Sequence, residues 1–136
     1  SLLTRLKSLE KEDNKKETLI KGFNESNKEI INEIKNADLI VNTTPVGMKT
    51  KIKDKHSVPL GLRLWDNLKK ETTLYDLIYT PRETTWLNLG GEKGCNKING
   101  LEMLVQQGAA SLKLWTGEMN IPVDIMRTAV KSQLKD

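Results

Sequence analysis

The sequence contains one cysteine and one histidine, too few for the sites that these residues usually build. Cys95 alone excludes a disulfide within the chain, and together with His56 it supplies only two of the four ligands of a structural zinc site. Cys95 also begins a short stretch with the pattern of a buried strand, where a thiol packs and does not react. We therefore expect no metal site and no cysteine nucleophile.

Long apolar runs are also absent. No run approaches the roughly 20 residues of a membrane helix, and residues 1–7 lack the apolar core and cleavage site of a signal peptide. Aromatic residues make up only 4% of the chain, and its lysines alternate with acids, so a net charge of +4 suits an anionic ligand without indicating a nucleic-acid surface. We expect one soluble, cytoplasmic domain with no membrane and no nucleic acid as partner.

The most informative stretch is residues 37–48, where an apolar run ends in small polar residues and a turn. Residues 39–41 have the pattern of a short strand buried on both faces, and residues 42–44 form its carboxyl end. In open α/β sheets ligands bind at that end, because strand ends and loops converge there on a crevice. The stretch therefore predicts a ligand site. A strand that enters an ordinary Pro/Gly turn without a ligand is the alternative.

The rest of the chain alternates helical and strand patterns. The predicted strands are residues 39–41, 72–78 and 95–98, and the predicted helices are residues 24–36, 62–68, 83–89, 100–115 and 122–134. Strands separated by helices in this way indicate an α/β fold: half of a doubly wound, Rossmann-like parallel sheet with flanking helices.

Three further features complete the pattern. Residues 1–16 carry leucines on one helical face, and residues 18–21 fit a short edge strand. Gly90, Gly91 and Gly94 do not follow a strand and open a helix, so they are not a dinucleotide fingerprint. We interpret them as residues that end a helix and make a turn.

Several segments resemble the carboxyl-terminal part of shikimate dehydrogenase, the NADP-dependent enzyme of aromatic amino-acid biosynthesis. They keep the family's order and approximate spacing, and together they cover residues 37–134. The segments are Asp-Leu-Ile-Val-Asn-Thr-Thr-Pro-Val-Gly-Met at 38–48, Tyr-Asp-Leu-Ile-Tyr-Thr-Pro-Arg-Glu-Thr at 75–84, Asn-Gly-Leu-Glu-Met-Leu-Val-Gln-Gln-Gly-Ala-Ala at 99–110 and Leu-Trp-Thr-Gly at 114–117.

The resemblance implies a cofactor site for NADP(H). In it, Thr43 and Thr44 would border the cofactor, Leu77 would lie against the nicotinamide, and the backbone at Gly100 would approach the nicotinamide amide. Glycine at position 100 has a physical reason too, because a side chain would fill space that a ligand needs at a helix start. A glycine chosen only for the turn is the alternative.

The resemblance also implies two substrate contacts, Tyr79 and Gln107, with shikimate or 3-dehydroshikimate as the substrate. A helix advances about 100° per residue, so Gly100 and Gln107 share one face while Gln106 falls on the solvated side. A packed aromatic and a glutamine without a ligand are the alternatives. The arc predicted to pack on the sheet is Leu101, Leu104, Val105, Leu112 and Trp115.

Parts of the family pattern are missing from these 136 residues: the substrate domain with its catalytic Lys and Asp pair, the Gly-rich phosphate loop and the Asn-Arg-Thr segment. We therefore expect residues 1–136 to be the carboxyl-terminal part of an NADP-binding domain, a fragment without catalytic residues and inactive by itself. Its open sheet edges favour self-association. Asp76 is assigned a structural role, holding the loop that follows it.

The implied activity of the parent enzyme is NADPH-dependent reduction of 3-dehydroshikimate to shikimate. The alternatives are a quinate/shikimate dehydrogenase and a non-catalytic nucleotide-binding or interaction module.

Overall fold

The computed structural model describes residues 19–24, 26–48 and 58–134. Within them, helices and strands alternate along much of the chain. The strands are β1 (Leu39–Asn42), β2 (Thr73–Asp76) and β3 (Asn96–Ile98), and the helices are α1 (Ile30–Asn36), α2 (Leu62–Trp65), α3 (Thr85–Glu92), α4 (Leu101–Thr116) and α5 (Val123–Gln133). None of the helices in these ranges is long and apolar enough to cross a membrane.

The three strands form one parallel sheet in the order β1-β2-β3. β1 pairs with β2 from Leu39 opposite Thr73 to Asn42 opposite Asp76, and β3 pairs with the other side of β2. Parallel pairing needs a crossover between consecutive strands, which α2 and α3 supply. The predicted α/β fold is therefore confirmed, and all three strands end at the same edge of the sheet.

The core lies between β2 and α3. Leu74 at the middle of β2 is fully buried against Trp86 and Leu87 of α3, and Trp65 and Cys95 complete the cluster. Burial raises the pKa of the Cys95 thiol above its ordinary value, which keeps the thiol protonated and unreactive. The cysteine therefore packs, as predicted, but the prediction that it begins a buried strand is wrong, because all three residues of β3 are exposed.

Gly90 and Gly91 lie inside α3, so the prediction that they end this helix is wrong. A Cβ on Gly90 would come 2.1 Å from Cδ1 of Leu74, so glycine lets the helix lie close against β2. The turn is made after the helix by Gly94, whose φ of +87° favours glycine. Tertiary contact, not a helix stop, accounts for the first of these glycines.

The beginning of the described chain also differs from expectation. Residues 19–21 are not a strand, and Leu19 there is exposed. Helix α1 begins at Ile30, later than predicted, because Asn24 and Asn27 bind backbone N–H groups two residues ahead and hold turns before the helix. The helix predicted for residues 1–16 lies outside the described residues.

Helix α4 is buried along its first half only. Leu101, Val105 and Ala109 are buried, and the first two of these belong to the predicted arc. Trp115, however, is 80% exposed, and Leu112 is also exposed. The 16 residues of this helix span about 24 Å, whereas the 4 residues of a strand such as β2 span about 13 Å. The end of α4 therefore extends beyond the sheet, and the prediction is wrong for Leu112 and Trp115.

Helix α5 contacts α4 along a narrow stripe. Met126 and Val130 are half-buried, and Met126 lies beside Gly108 of α4. Ile125 is 71% exposed and Ala129 is exposed, so only part of the apolar side of α5 is covered. A helix with one neighbouring helix buries one stripe and leaves the flanks open.

Candidate functional site

Two buried polar side chains join the ends of β1 and β2. Asn42 and Asp76 lie opposite each other in the register, and the Asn42 Nδ2 donates a hydrogen bond of 3.0 Å to the Asp76 Oδ1. Asp76 is 0% exposed and Asn42 only 3%. The two strand ends are therefore linked directly beneath the loops that leave them.

Asn42 also folds the loop after β1 back on itself. Its Oδ1 accepts hydrogen bonds from the backbone N–H and the hydroxyl of Thr44, at 3.0 and 2.7 Å, and its Nδ2 donates to the carbonyl of Val46 at 3.1 Å. Thr43 and Thr44 lie exposed on the outside of this turn. The structure thus places both predicted cofactor threonines at the carboxyl end of β1.

Asp76 holds both ends of the loop between β2 and α3. Its Oδ1 accepts from the N–H of Ile78 at 3.0 Å, and its Oδ2 accepts from the hydroxyl of Thr84 at 2.7 Å. Thr84 in turn caps α3 by accepting from the N–H of Leu87. Complete burial and three donors make Asp76 a structural residue, as predicted.

Side chains alternate along the segment after β2. Asp76 and Ile78 are buried, whereas Leu77 is half-buried and Tyr79 is 38% exposed. Because successive side chains of an extended chain point to opposite sides, Leu77 and Tyr79 share the side that faces away from the core. These two predicted residues therefore lie on one open surface.

Gly100 lies against this segment at the start of α4. Its N–H donates to the carbonyl of Ile78 at 3.0 Å, and a Cβ on it would stand 2.0 Å from the carbonyl oxygen of Leu77. The sequence suggests that glycine at position 100 leaves room for a ligand. The structure shows instead that it leaves room for the loop between β2 and α3, here called the β2 loop. The structure still brings Gly100 next to Leu77, as the cofactor prediction needs.

Gln107 is exposed on α4, two turns from Gly100. Its Nε2 donates to the carbonyl of Leu104 at 3.1 Å, whereas the Nε2 of Gln106 donates to the Glu102 Oε1 at 2.7 Å. The neighbouring glutamines therefore have different surroundings, and Glu102, Gln106 and Lys113 are all exposed.

An ion pair fixes α5 to the first turn of α4. Arg127 donates to both oxygens of Glu102, at 2.8 and 2.7 Å, and also contacts Asp124. The hydrogen bonds from Arg127, followed by that from Gln106, lower the pKa of Glu102 to about 2. Glu102 likewise raises the pKa of Arg127. No local sequence pattern indicates this pairing, because its partners are 25 residues apart.

Sequence reasoning also missed the roles of Asn42 and Thr84. A polar residue directly after an apolar strand is a usable signal, but the bonds depend on which strand end lies opposite. No group of three or more His, Cys, Asp or Glu side chains in the described ranges could hold a metal ion.

Comparisons with known proteins show which family the chain is similar to. Residues 100–131 match the Shikimate 5'-dehydrogenase C-terminal domain family. The chain is 44% identical over 115 residues to the NADP(+)-dependent shikimate dehydrogenase of Prochlorococcus marinus strain MIT 9215, an alignment that covers 85% of this chain and 40% of that protein. The chain thus spans about two fifths of the length of such relatives.

Solved structures give the same result. Shikimate 5-dehydrogenase from Thermus thermophilus, in complex with NADP(H) and shikimate, is 31% identical with a TM-score of 0.61, covering 75% of this chain and 36% of that one. Quinate dehydrogenase from Corynebacterium glutamicum, in complex with NAD, is 30% identical with a TM-score of 0.61, covering 76% and 34%. By sequence and by fold, the chain is similar to about two fifths of enzymes of the shikimate dehydrogenase family, and residues 100–131 match the family's C-terminal domain.

Proposed function

We propose that this chain is part of an enzyme that reduces 3-dehydroshikimate to shikimate with NADPH, in aromatic amino-acid biosynthesis. The observation that carries the proposal is the carboxyl edge of β1 and β2, where Asn42 holds the turn at Thr44 and Gly100 lies against Leu77. The names of the relatives and the complex of the Thermus thermophilus enzyme with NADP(H) and shikimate support the same activity.

The residues at this edge suit NADP(H) on physical grounds. The exposed hydroxyl side chains of Thr43 and Thr44 can face the polar parts of the cofactor, and the apolar Leu77 offers a wall for the flat nicotinamide ring. Gly100 brings the backbone of α4 to the same place. The bound cofactor would supply the hydride, and these residues would hold its ring in place for the transfer.

Two side chains would contact the substrate. Tyr79 lies on the same open surface as Leu77, and Gln107 is exposed on the adjoining helix α4. An amide both donates and accepts hydrogen bonds, which suits the hydroxyl groups of a polyol such as shikimate. Neither residue would transfer a proton, so we assign the catalytic acid and base to the remainder of the parent enzyme.

This assignment makes residues 1–136 the carboxyl-terminal part of an NADP-binding domain in a cytoplasmic enzyme. The isolated chain should therefore show no dehydrogenase activity. The check is NADP+ reduction by the purified chain with shikimate, and turnover above the rate without protein would contradict the assignment.

A quinate dehydrogenase is the second candidate, because the Corynebacterium glutamicum enzyme matches the chain as well as the shikimate enzyme does. The two candidates make different predictions for the full-length enzyme. We expect faster turnover of 3-dehydroshikimate with NADPH than of 3-dehydroquinate with NADH, measured as nucleotide oxidation. The reverse ranking would favour quinate, and no turnover of either would leave a non-catalytic nucleotide-binding or interaction module.

A further inference from the structure

One set of buried hydrogen bonds connects the two loops of the crevice. It consists of Asn42, Asp76 and Thr84, here called the Asn42–Asp76–Thr84 network. Asn42 controls the turn at Thr44, and Asp76 binds Ile78 near the start of the loop at residues 77–83 and Thr84 just after its end. Two loops that are far apart in sequence are thereby fixed to one carboxyl group.

We propose that Asp76 is a positioning residue, which sets the loop at residues 77–83 against the turn at residues 43–48 for hydride transfer. The proposal rests on the proposed function and deepens it. Asp76 itself touches neither cofactor nor substrate, because it is fully buried. It acts through Asn42 on one side of the crevice and through Thr84 on the other.

The chemistry of the network supports a role in arrangement. The hydrogen bonds to Asp76 come from an amide, a backbone N–H and a hydroxyl, all neutral donors. Burying a carboxylate among neutral donors costs more free energy than packing an apolar side chain of the same size. A buried network whose hydrogen bonds are all made rigidifies the segments it joins, which is what the placement of two loops needs.

The network also reaches α4. Besides the bond to Asp76, the loop is tied to β1 through the Leu77 N–H and the Asn42 carbonyl, at 3.1 Å. It is tied to the start of α4 through the Ile78 carbonyl and the Gly100 N–H, at 3.0 Å. A shift of the loop would therefore have two effects at once. It would move Leu77 relative to the cofactor, and it would change the contact between the loop and Gly100. Small displacements of this kind slow a reaction that requires close contact between two reacting atoms.

Two near-isosteric changes test the proposal in the full-length enzyme. Thr84→Val removes the hydroxyl that binds Asp76 but also the cap of α3, whereas Asp76→Asn alters the carboxyl group and leaves Thr84 as the cap. An effect shared by both belongs to the network. Thr84→Ser keeps the hydroxyl, and Thr128→Val removes an exposed hydroxyl on α5 as a matched control.

The readouts are kcat and KM for each folded variant, and the primary isotope effect with NADPH deuterated at the transferred position. We expect Thr84→Val and Asp76→Asn to lower kcat/KM by roughly 10- to 100-fold and to increase the isotope effect, because hydride transfer becomes slower. Thr84→Ser and Thr128→Val should stay close to the wild type. A lower melting temperature with unchanged kcat, KM and isotope effect in both variants would overturn the proposal.

Hydrogen exchange separates this proposal from the proposed function. If the wild-type enzyme does not turn over 3-dehydroshikimate, the proposed function fails while the positioning role is still measurable. Asp76→Asn should then speed amide exchange at residues 43–48 as well as at residues 77–83, because Asn42 transmits the change. Unchanged exchange at residues 43–48 would overturn the positioning role whatever the activity.

Discussion

The carbonyl oxygen of Leu77 occupies the place where a side chain on Gly100 would begin, 2.0 Å from the ideal Cβ position. The carbonyl carbon of Leu77 is at 2.4 Å from the same point, so the obstacle is backbone and cannot rotate away. The first turn of α4 can therefore approach the β2 loop only through glycine. This contact fixes the side of the crevice on which Leu77 lies.

Gly100→Ala should destabilise the fold by about 2 to 4 kcal/mol, because the β2 loop and α4 must separate. The measurement is the free energy of unfolding from urea denaturation of the chain. Gly108→Ala in the same helix is the control, since its Cβ would meet only the end of the flexible Met126 side chain, at 3.3 Å. Equal losses in the two variants would contradict the role given to the Leu77 carbonyl.

The Glu102–Arg127 pair predicts a pH dependence of stability. The pKa of Glu102 falls from an ordinary 4.5 to about 2 in the folded chain, mainly through Arg127. A lowered folded-state pKa stabilises the fold above the unfolded pKa, and this contribution is lost as the pH falls from 4.5 towards 2. Glu102→Gln should therefore flatten the dependence of the unfolding midpoint on pH in this window.

The same pair is exposed to solvent, so salt should weaken it. We expect the difference between the wild type and Glu102→Gln to shrink between about 10 mM and about 500 mM sodium chloride. Asp38→Asn removes another exposed carboxyl, whose pKa Lys69 lowers at a distant surface site. Its pH dependence of stability is compared with that of Glu102→Gln. A midpoint whose pH dependence is identical in wild type and Glu102→Gln would show that the pair does not hold α5.

Features that depend on residues close together in the sequence could be predicted, whereas features that depend on distant residues could not. The apolar run at residues 39–41 predicts a strand because this signal is local, and the strand is confirmed. The prediction that both its faces are buried is wrong, because Leu39 and Val41 lie exposed and burial depends on what packs against the sheet. The need for glycine at position 90 cannot be predicted from the sequence, because it arises from contact with Leu74, which is distant along the chain. The hydrogen bond from Asn42 to the Asp76 carboxyl depends on the register between β1 and β2, which the local sequence does not determine. Trp115 is misplaced because the pattern of a helix does not tell how far its sheet extends.

The open edge of β1 predicts self-association of the isolated chain. Leu39 is 53% exposed and Val41 is 40% exposed, on a strand that pairs only on the side of β2 among the described strands. Such an edge pairs readily with another strand, and a charged side chain on it prevents this. Val41→Lys should lower the apparent mass in light scattering, whereas Met119→Lys, at an exposed apolar residue outside the sheet, should not. A wild-type chain that is monomeric at all concentrations would contradict the prediction.

The two neighbouring glutamines of α4 should differ in their effect on catalysis by the full-length enzyme. Gln106 is bonded to Glu102 beside the ion pair with Arg127, on the solvated side of the helix, whereas Gln107 donates to the Leu104 carbonyl within its own turn. Gln107 is also close to the direction of Gly100 around the helix axis, about 20° away after two turns. Its carboxamide can therefore swing towards the crevice while the ion pair between α4 and α5 stays in place.

Gln107→Ala should cost roughly 1 to 3 kcal/mol of substrate or transition-state binding, because it removes a group that can both donate to and accept from a hydroxyl. Gln106→Ala is the matched control and should change kcat/KM little, since its side chain bonds to Glu102 on the solvated side. The measurement is kcat/KM for shikimate at saturating NADP+, together with the melting temperature to exclude a loss of fold. Equal kinetic effects of the two substitutions, or none from Gln107→Ala, would remove Gln107 from the substrate site and leave Tyr79 as the only substrate contact proposed on this chain.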